Sequence, residues 1–294
     1  MFLSLALGFI LLSCVFMAGF LLRELVSFRL SRRLLHYPRA KVSANFLSTL
    51  IMTAVYHGKY IAIQSESNVS KNRTWAVLLP GSGESSMALA ETARFYFSKG
   101  MGILLVDYLS TSFRRGPLGW GPPEARELAE FLSNLKGTIV LHGKSFGSSV
   151  ALLAWKELRL ELHMVLEAPF SNFPQLLLYQ SLRPKYFLRP FRLLVQSGVN
   201  LSLKRLKRWG IEAGNNRPEA VMKGLKGKLL LIHGTTDRMV RYDHSLVLQA
   251  AAQAEGLPVK TVLIPYGRHS RLHETNPTLW EEGLEWITLD LCGK

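Results

Sequence analysis

Six short, almost uninterrupted apolar runs limit what this chain can fold into more than any other feature. They are "TWAVLLP" (74–80), "GILLVDY" (102–108), "TIVLHG" (138–143), "HMVLEAP" (163–169), "KLLLIHG" (228–234) and "KTVLIPY" (260–266). A strand with one wet face alternates apolar and polar residues, whereas a continuous apolar run suits a strand covered on both faces, as in a parallel sheet. Helix-like stretches separate most of the runs, at 86–99, 122–135, 146–158 and 243–255, with a last one at 276–290. Strands and helices in alternation predict a doubly wound, mostly parallel α/β sheet. Residues 53–65, "TAVYHGKYIAIQS", predict a hairpin ahead of it around His57-Gly58. The interval from about 172 to 222 is too long for an ordinary crossover and is expected to hold helices of its own, a cap beside the C-terminal edge of the sheet.

The chain begins with "MFLSLALGFILLSCVFMAGFLL", residues 1–22, which contain no charged side chain. As a helix this run would span roughly 33 Å, enough for the hydrocarbon core of a bilayer. No basic residue precedes it, as one would in a cleaved signal peptide, so a retained transmembrane anchor is the expectation. Arg23, Arg29, Arg32, Arg33, Arg39 and Lys41 follow, against the single acid Glu24. Cationic flanks favour the cytoplasmic side. The expected organisation is therefore an anchor (1–22), a basic juxtamembrane linker (23–50) and one domain (51–294) facing the cytosol from a single-pass position. Within the linker, "LVSFRLSRRLLHYPR" interleaves apolar residues with arginine, a pattern that fits either an interfacial segment on anionic lipid or a solvated connecting helix. Asn68 and Asn72 head glycosylation-type triplets, which would be inert in a cytosolic domain and argue against that orientation.

The formal net charge is +15. No nucleic-acid-binding motif accompanies it, so a membrane surface with anionic headgroups is the expected partner and nucleic acid is not. The two cysteines, Cys14 and Cys292, are placed where an internal disulfide is not expected. No pattern calls for a metal or a cofactor, and nothing indicates an oligomeric state.

Between the third run and the helix-like stretch after it stands "GKSFG", residues 143–147. A serine on a sharp strand-to-helix turn is lifted clear of the sheet, and glycines two residues to either side are needed because side chains there would strike neighbouring backbone. Ser145 is thus a candidate nucleophile. A serine hydroxyl needs a base to take its proton and an acid to orient that base. Asp237, in "HGTTDRMV", follows the fifth run, and His269, in "PYGRHSRLHE", follows the sixth, so both emerge at the sheet edge that carries Ser145. Glu167 is an alternative acid and His273 an alternative base, while His142 and His233 read as packed scaffold. For the developing oxyanion, the turn "PGSGESS" offers the backbone N–H of Ser82, to pair with that of Phe146. Lys144 has no role that sequence assigns. In the cap, every charged residue of 182–210 is basic and is interleaved with Phe, Tyr, Leu and Trp, which suits an acyl chain with an anionic neighbour or a solvated basic face.

Taken together, "LLPGSGESS", "LLVDY", "LHGKSFGSSVAL", "LEAPFSNF", "LLIHGTTDRMVRYDHS" and "IPYGRHSRLHE" resemble, in order, the membrane-anchored α/β-hydrolase-domain serine hydrolases, the group of Bem46-like and bacterial YfhR-like proteins. The resemblance covers roughly residues 50–290. It implies the α/β-hydrolase fold with a helical cap, hydrolysis of an ester or thioester of an acyl or lipid-like substrate, and a triad of Ser145, Asp237 and His269. Two stretches depart from the group: Pro80-Gly81 stands in place of His-Gly, and "LSTSFRRG" (109–116) in place of an Arg-Gly-x-Gly stretch. Two further readings stay open: acyl transfer by the same residues, and a catalytically silent scaffold that docks partners at the membrane.

Overall fold

The computed structural model describes residues 2–35, 53–57, 60–64, 74–84, 86–106, 118–158, 160–183, 190–269, 271–289 and 291. Its centre is an eight-stranded sheet of β1 (Thr53–His57), β2 (Tyr60–Gln64), β3 (Thr74–Leu79), β4 (Gly102–Val106), β5 (Thr138–Lys144), β6 (Glu161–Glu167), β7 (Lys226–Gly234) and β8 (Val259–Ile264), in the order β1-β2-β4-β3-β5-β6-β7-β8. The hairpin β1–β2 joins β4 antiparallel at one edge, and the six strands β4, β3, β5, β6, β7 and β8 run parallel. These six are the six apolar runs. In β3 and β4 every residue after Thr74 is buried, as double coverage requires.

Helices cover both faces: α2 (Ala90–Ser98), α3 (Pro122–Leu132), α4 (Phe146–Leu158), α7 (Asp243–Ala254), the short α8 (Leu272–Thr275) and α9 (Pro277–Thr288). They divide the buried apolar residues into two clusters, one around Trp155 of α4 and one around Trp280 of α9. The expected cap interval contains α5 (Phe173–Leu182), α6 (Arg192–Lys207) and two short 3-10 turns before β7.

The register decides where chemistry can sit. Leu79 pairs with Gly143, Lys144 with Glu167, Glu167 with Ile232 and Gly234 with Ile264. The loops after β3, β5, β6, β7 and β8 therefore leave the sheet along one edge, where ligands of open α/β sheets bind.

At the N-terminus the expected anchor and the start of the expected linker share one element. Residues Phe2–Leu35 form one continuous helix, α1, with no break near residue 22. Its C-terminal part belongs to the domain: Ser27, Leu30 and Leu34 are buried, and Leu30 and Leu34 join the larger apolar cluster. The partner is α6, and Gly198 permits the close approach, because a Cβ there would lie 2.8 Å from the Arg23 carbonyl. Polar ties follow the same seam: Arg205 donates to Ser27 Oγ and to Glu24, and the hydroxyls of Ser31 and Ser202 are 2.9 Å apart. Spacing at 27, 30 and 34 is a helical face, so this stretch, expected either as an interfacial segment or as a solvated connecting helix, packs on the domain through that face.

Among the described residues no helix is long and apolar enough to cross a membrane. The side chains of residues 1–12 of the expected span lie outside the description, as do residues 36–50 of the expected linker, both glycosylation-type asparagines and the divergent stretch 109–116.

Candidate active site

Ser145 is the single residue between β5 and α4, and its φ of 53° lies in the left-handed region. For a residue with a Cβ this conformation costs on the order of 1 kcal/mol or more and persists only where surroundings impose it. Here they do. The Ser145 N–H donates to the Glu167 carbonyl at 2.8 Å, and its own carbonyl accepts from Ser148 N at 3.0 Å. A Cβ on Gly143 would overlap the backbone of Gly147, and one on Gly147 would overlap the carbonyl of Leu79 at the end of β3. The two glycines thus let the elbow close and let the loop after β3 lie directly against it.

The turn after β7 supplies Asp237. Its Oδ1 accepts from the backbone N–H groups of Met239 and Val240, at 2.8 and 3.0 Å, which fixes the carboxylate plane. Its Oδ2 accepts from His269 Nδ1 at 2.6 Å and lies 3.4 Å from His233 Nε2. Burial by itself would raise the Asp237 pKa. Hydrogen bonds from His233 and His269, the charge His269 can carry and the Val240 N–H outweigh it and hold the carboxyl well below the usual range, so it stays ionised.

His269 completes the chain, with Nε2 at 2.8 Å from Ser145 Oγ. An ionised Asp237 requires the proton on Nδ1, which leaves Nε2 to accept from the serine hydroxyl. The loop holding His269 is tied to the Asp237 turn by Thr235 N donating to Ile264 O and Thr236 N to Gly267 O. All three predicted triad positions are therefore brought together.

The alternatives go elsewhere. Glu167 accepts from His142 Nε2 at 3.0 Å and from Trp280 Nε1 at 2.6 Å, beneath the elbow. Tyr96 closes that group, its hydroxyl 3.0 Å from His142 Nδ1. Burial would raise the Glu167 pKa, but His142, Lys144 and Trp280 together lower it. His273 packs on the edge of the Trp280 ring. His142 and His233 are fully buried scaffold residues as expected, although His233 also flanks Asp237.

A cavity of about 180 Å³ opens at Ser145 and His269, with Gly81, Ser82 and Phe146 in its wall. Both residues predicted to donate to the oxyanion thus line the same cavity as Ser145. The remaining wall is mostly apolar, from Trp120, Phe170, Phe173, Leu176, Leu177 and Val240, while Arg33 and Gln180 are polar. A cavity of about 150 Å³ holds a benzene-sized apolar group, so this one takes roughly six to eight heavy atoms.

Sequence reasoning missed Arg33, Leu34, Trp120 and Glu84 as wall residues. Trp120 is held by its Nε1 donating to the Leu34 carbonyl and by stacking on Phe173 with ring centroids 5.2 Å apart. The run Gly119-Trp120-Gly121-Pro122-Pro123 was the one local sequence signal, a turn ahead of α3 in which Trp120 takes a φ of 60°. Among the described residues no group of His, Cys, Asp and Glu could hold a metal ion.

No protein-family model matches the sequence, and no curated protein matches it. Solved structures do match its fold. The esterase Pf2001 of Pyrococcus furiosus is 16% identical, covers 88% of this chain and 99% of its own, and superposes with a TM-score of 0.64. The thermophilic esterase Est2 of Thermogutta terrifontis, with butyrate bound, is 13% identical over 82% of this chain and 94% of its own, with a TM-score of 0.59. The peroxisomal α/β-hydrolase Lpx1 of Saccharomyces cerevisiae is 16% identical over 86% and 87%, with a TM-score of 0.54. The chain has the α/β-hydrolase fold.

A second histidine beside the site sets an acid limit. His244 Nδ1 faces the backbone N–H of Ser171 at 3.2 Å and its hydroxyl at 2.9 Å. A backbone N–H only donates, so Nδ1 carries no proton. Burial first, then the neighbouring His233, push the His244 pKa down to about 4, with Arg241 adding to this and Asp243 and Asp237 opposing it. The unfolded chain then binds the proton more readily, so this stability is complete above about pH 6.5 and is lost as pH falls toward 4. The expected loss is on the order of 2 kcal/mol after allowance for partial exposure. Urea unfolding at pH 7.5 and 4.5 should show the wild type losing that much more than His244→Gln. An equal loss in both would contradict the assignment.

Proposed function

We propose that this protein is a serine hydrolase that cleaves an ester or thioester of an acyl or lipid-like substrate. One observation carries the reading: Asp237, His269 and Ser145 form an unbroken hydrogen-bond chain of 2.6 and 2.8 Å that ends at the mouth of an apolar cavity. Ser145 Oγ attacks the acyl carbon as its proton passes to His269 Nε2. The imidazolium is stabilised by Asp237, and the N–H groups of Ser82 and Phe146 receive the oxyanion. His269 then protonates the departing alcohol or thiol. A water molecule, deprotonated by the same nitrogen, releases the acid from the acyl-enzyme and regenerates Ser145.

The names of the similar structures support this reading, since two are called esterases and one of those holds butyrate. The cavity admits a short acyl chain, or the first carbons of a longer one that leaves past Arg33 and Gln180. 4-Nitrophenyl butyrate is accordingly a suitable substrate. Ser145→Ala and His269→Ala should each lower kcat by about 10⁴-fold or more, to the residual level set by binding and the oxyanion site. Wild-type rates in either variant, with the background hydrolysis subtracted, would sink the reading.

We further propose that α1 holds the domain at the cytoplasmic face of a membrane, as in the Bem46-like and YfhR-like group. Val15, Phe16, Met17, Phe20 and Phe28 are exposed on α1, Leu193 is exposed on α6, and Arg29, Arg32 and Arg33 are exposed beside them. An apolar face rimmed by arginines favours anionic lipid. Vesicles containing phosphatidylserine should sediment the protein and raise its esterase rate, and neutral vesicles should do so less. If anionic and neutral vesicles leave both binding and rate unchanged, the proposal fails.

A further inference from the structure

Lys144 and Glu84 stand outside the proton relay but press against it from two sides. Lys144 is the last residue of β5, next to Ser145, and is 7% exposed. A lysine so buried requires a partner. Its Nζ donates to Glu84 Oε1 at 3.1 Å, and the other oxygen, Oε2, accepts from the backbone N–H of Gly81 at 3.1 Å. Glu84 N also donates to the Gly81 carbonyl at 3.2 Å, so this one residue closes the 81–84 turn through both its backbone and its side chain. Gly81 lies against the nucleophile, since a Cβ there would come within 3.5 Å of Ser145 Cβ. The turn that Glu84 closes contains Ser82, and the segment that anchors Lys144 continues into Phe146.

The placement has an electrostatic consequence. Glu84 lines the same cavity as Ser82, Ser145 and Phe146. A bare carboxylate there would repel the negative charge that develops on the substrate oxygen, and with a quarter of its side chain exposed (26%) it would be free to swing out and release Gly81. The Lys144 ammonium cancels that charge and keeps the carboxylate on the Gly81 N–H.

We propose that Lys144 and Glu84 are positioning residues: Glu84 holds the oxyanion-binding turn against the elbow, and Lys144 makes a carboxylate tolerable in that place. This rests on the serine-hydrolase reading above. It assigns to the variable position of the G-x-S-x-G turn a role in the transition state without contact to substrate.

The test uses the full chain, 4-nitrophenyl butyrate, and thermal midpoints to confirm folding of each variant. Lys144→Met should lower kcat by about 10- to 100-fold with KM within about twofold, since only charge that develops in the transition state is affected. Lys144→Arg should keep most of the wild-type kcat. The double variant Lys144→Met with Glu84→Gln should recover most of the loss, because a neutral amide oxygen can still accept from Gly81 and no longer repels the oxyanion. Glu84→Ala, which removes the clasp while leaving the elbow intact, should lower kcat with KM unchanged and serves where Lys144→Met does not fold. Wild-type kcat in both Lys144→Met and Glu84→Ala would overturn the proposal. A double variant as slow as Lys144→Met would overturn it too, because Lys144 would then be acting through Glu167. An inactive wild type would instead overturn the hydrolase reading and this inference with it.

Discussion

The contact between Gly147 and the carbonyl of Leu79 is the constraint on which the rest of the site depends. It exists because β3 and β5 are neighbours in register, Leu79 beside Gly143, so the chain leaving β3 passes over the first turn of α4. With hydrogen in place of a side chain at 143 and 147, the elbow folds tightly enough to hold Ser145 at a positive φ. The same contact delivers Ser82 to the side of the cavity where Phe146 stands. Ser145 and the two proposed oxyanion donors are thus brought to one cavity by backbone packing, which is stiffer than placement by flexible side chains.

Around that spot three buried or half-buried acids are each compensated by a different base. Asp237 is paired with His269 and flanked by His233, Glu167 with His142, and Glu84 with Lys144. Of the three, the first pair is the one that reaches Ser145 Oγ. The second lies under the elbow, where the Glu167 carbonyl also holds Ser145 N, and the third clasps the loop above it. In a region of low dielectric an unpaired carboxylate would be costly and would distort the field at Ser145, so pairing each acid locally leaves His269 as the group poised to move a proton.

Much of this was legible in the sequence, for identifiable reasons. A parallel strand buried on both faces has to be apolar at nearly every position, and the six runs became β3 to β8 with ends that coincide or shift by at most two residues. Ser145, Asp237 and His269 each follow such a run, so the topology that put the runs in one sheet also put these residues on one edge. What stayed hidden are contacts between residues distant in the chain that leave no periodic trace. Lys144 finds Glu84 sixty positions away. Trp120 is fixed by the Leu34 carbonyl. The end of α1 is the plainest case: an apolar helix with arginines suits a lipid surface, and suits a cap helix with a glycine at the crossing equally well. Ser27, Leu30 and Leu34 show the second, while Phe16, Met17 and Phe20 remain exposed. The seven-residue spacing from 27 to 34 was a signal of a packed face, masked by the stronger hydropathy ahead of it.

If Ser145 is a nucleophile driven by His269 and Asp237, the site of covalent capture reveals it. After reaction with a fluorophosphonate, intact-mass analysis and peptide mapping should find one adduct, on Ser145. It should be absent in Ser145→Ala and form far more slowly in His269→Ala and Asp237→Asn. No adduct on the folded wild type, or an adduct that persists in Ser145→Ala, would show that Ser145 is not the nucleophile.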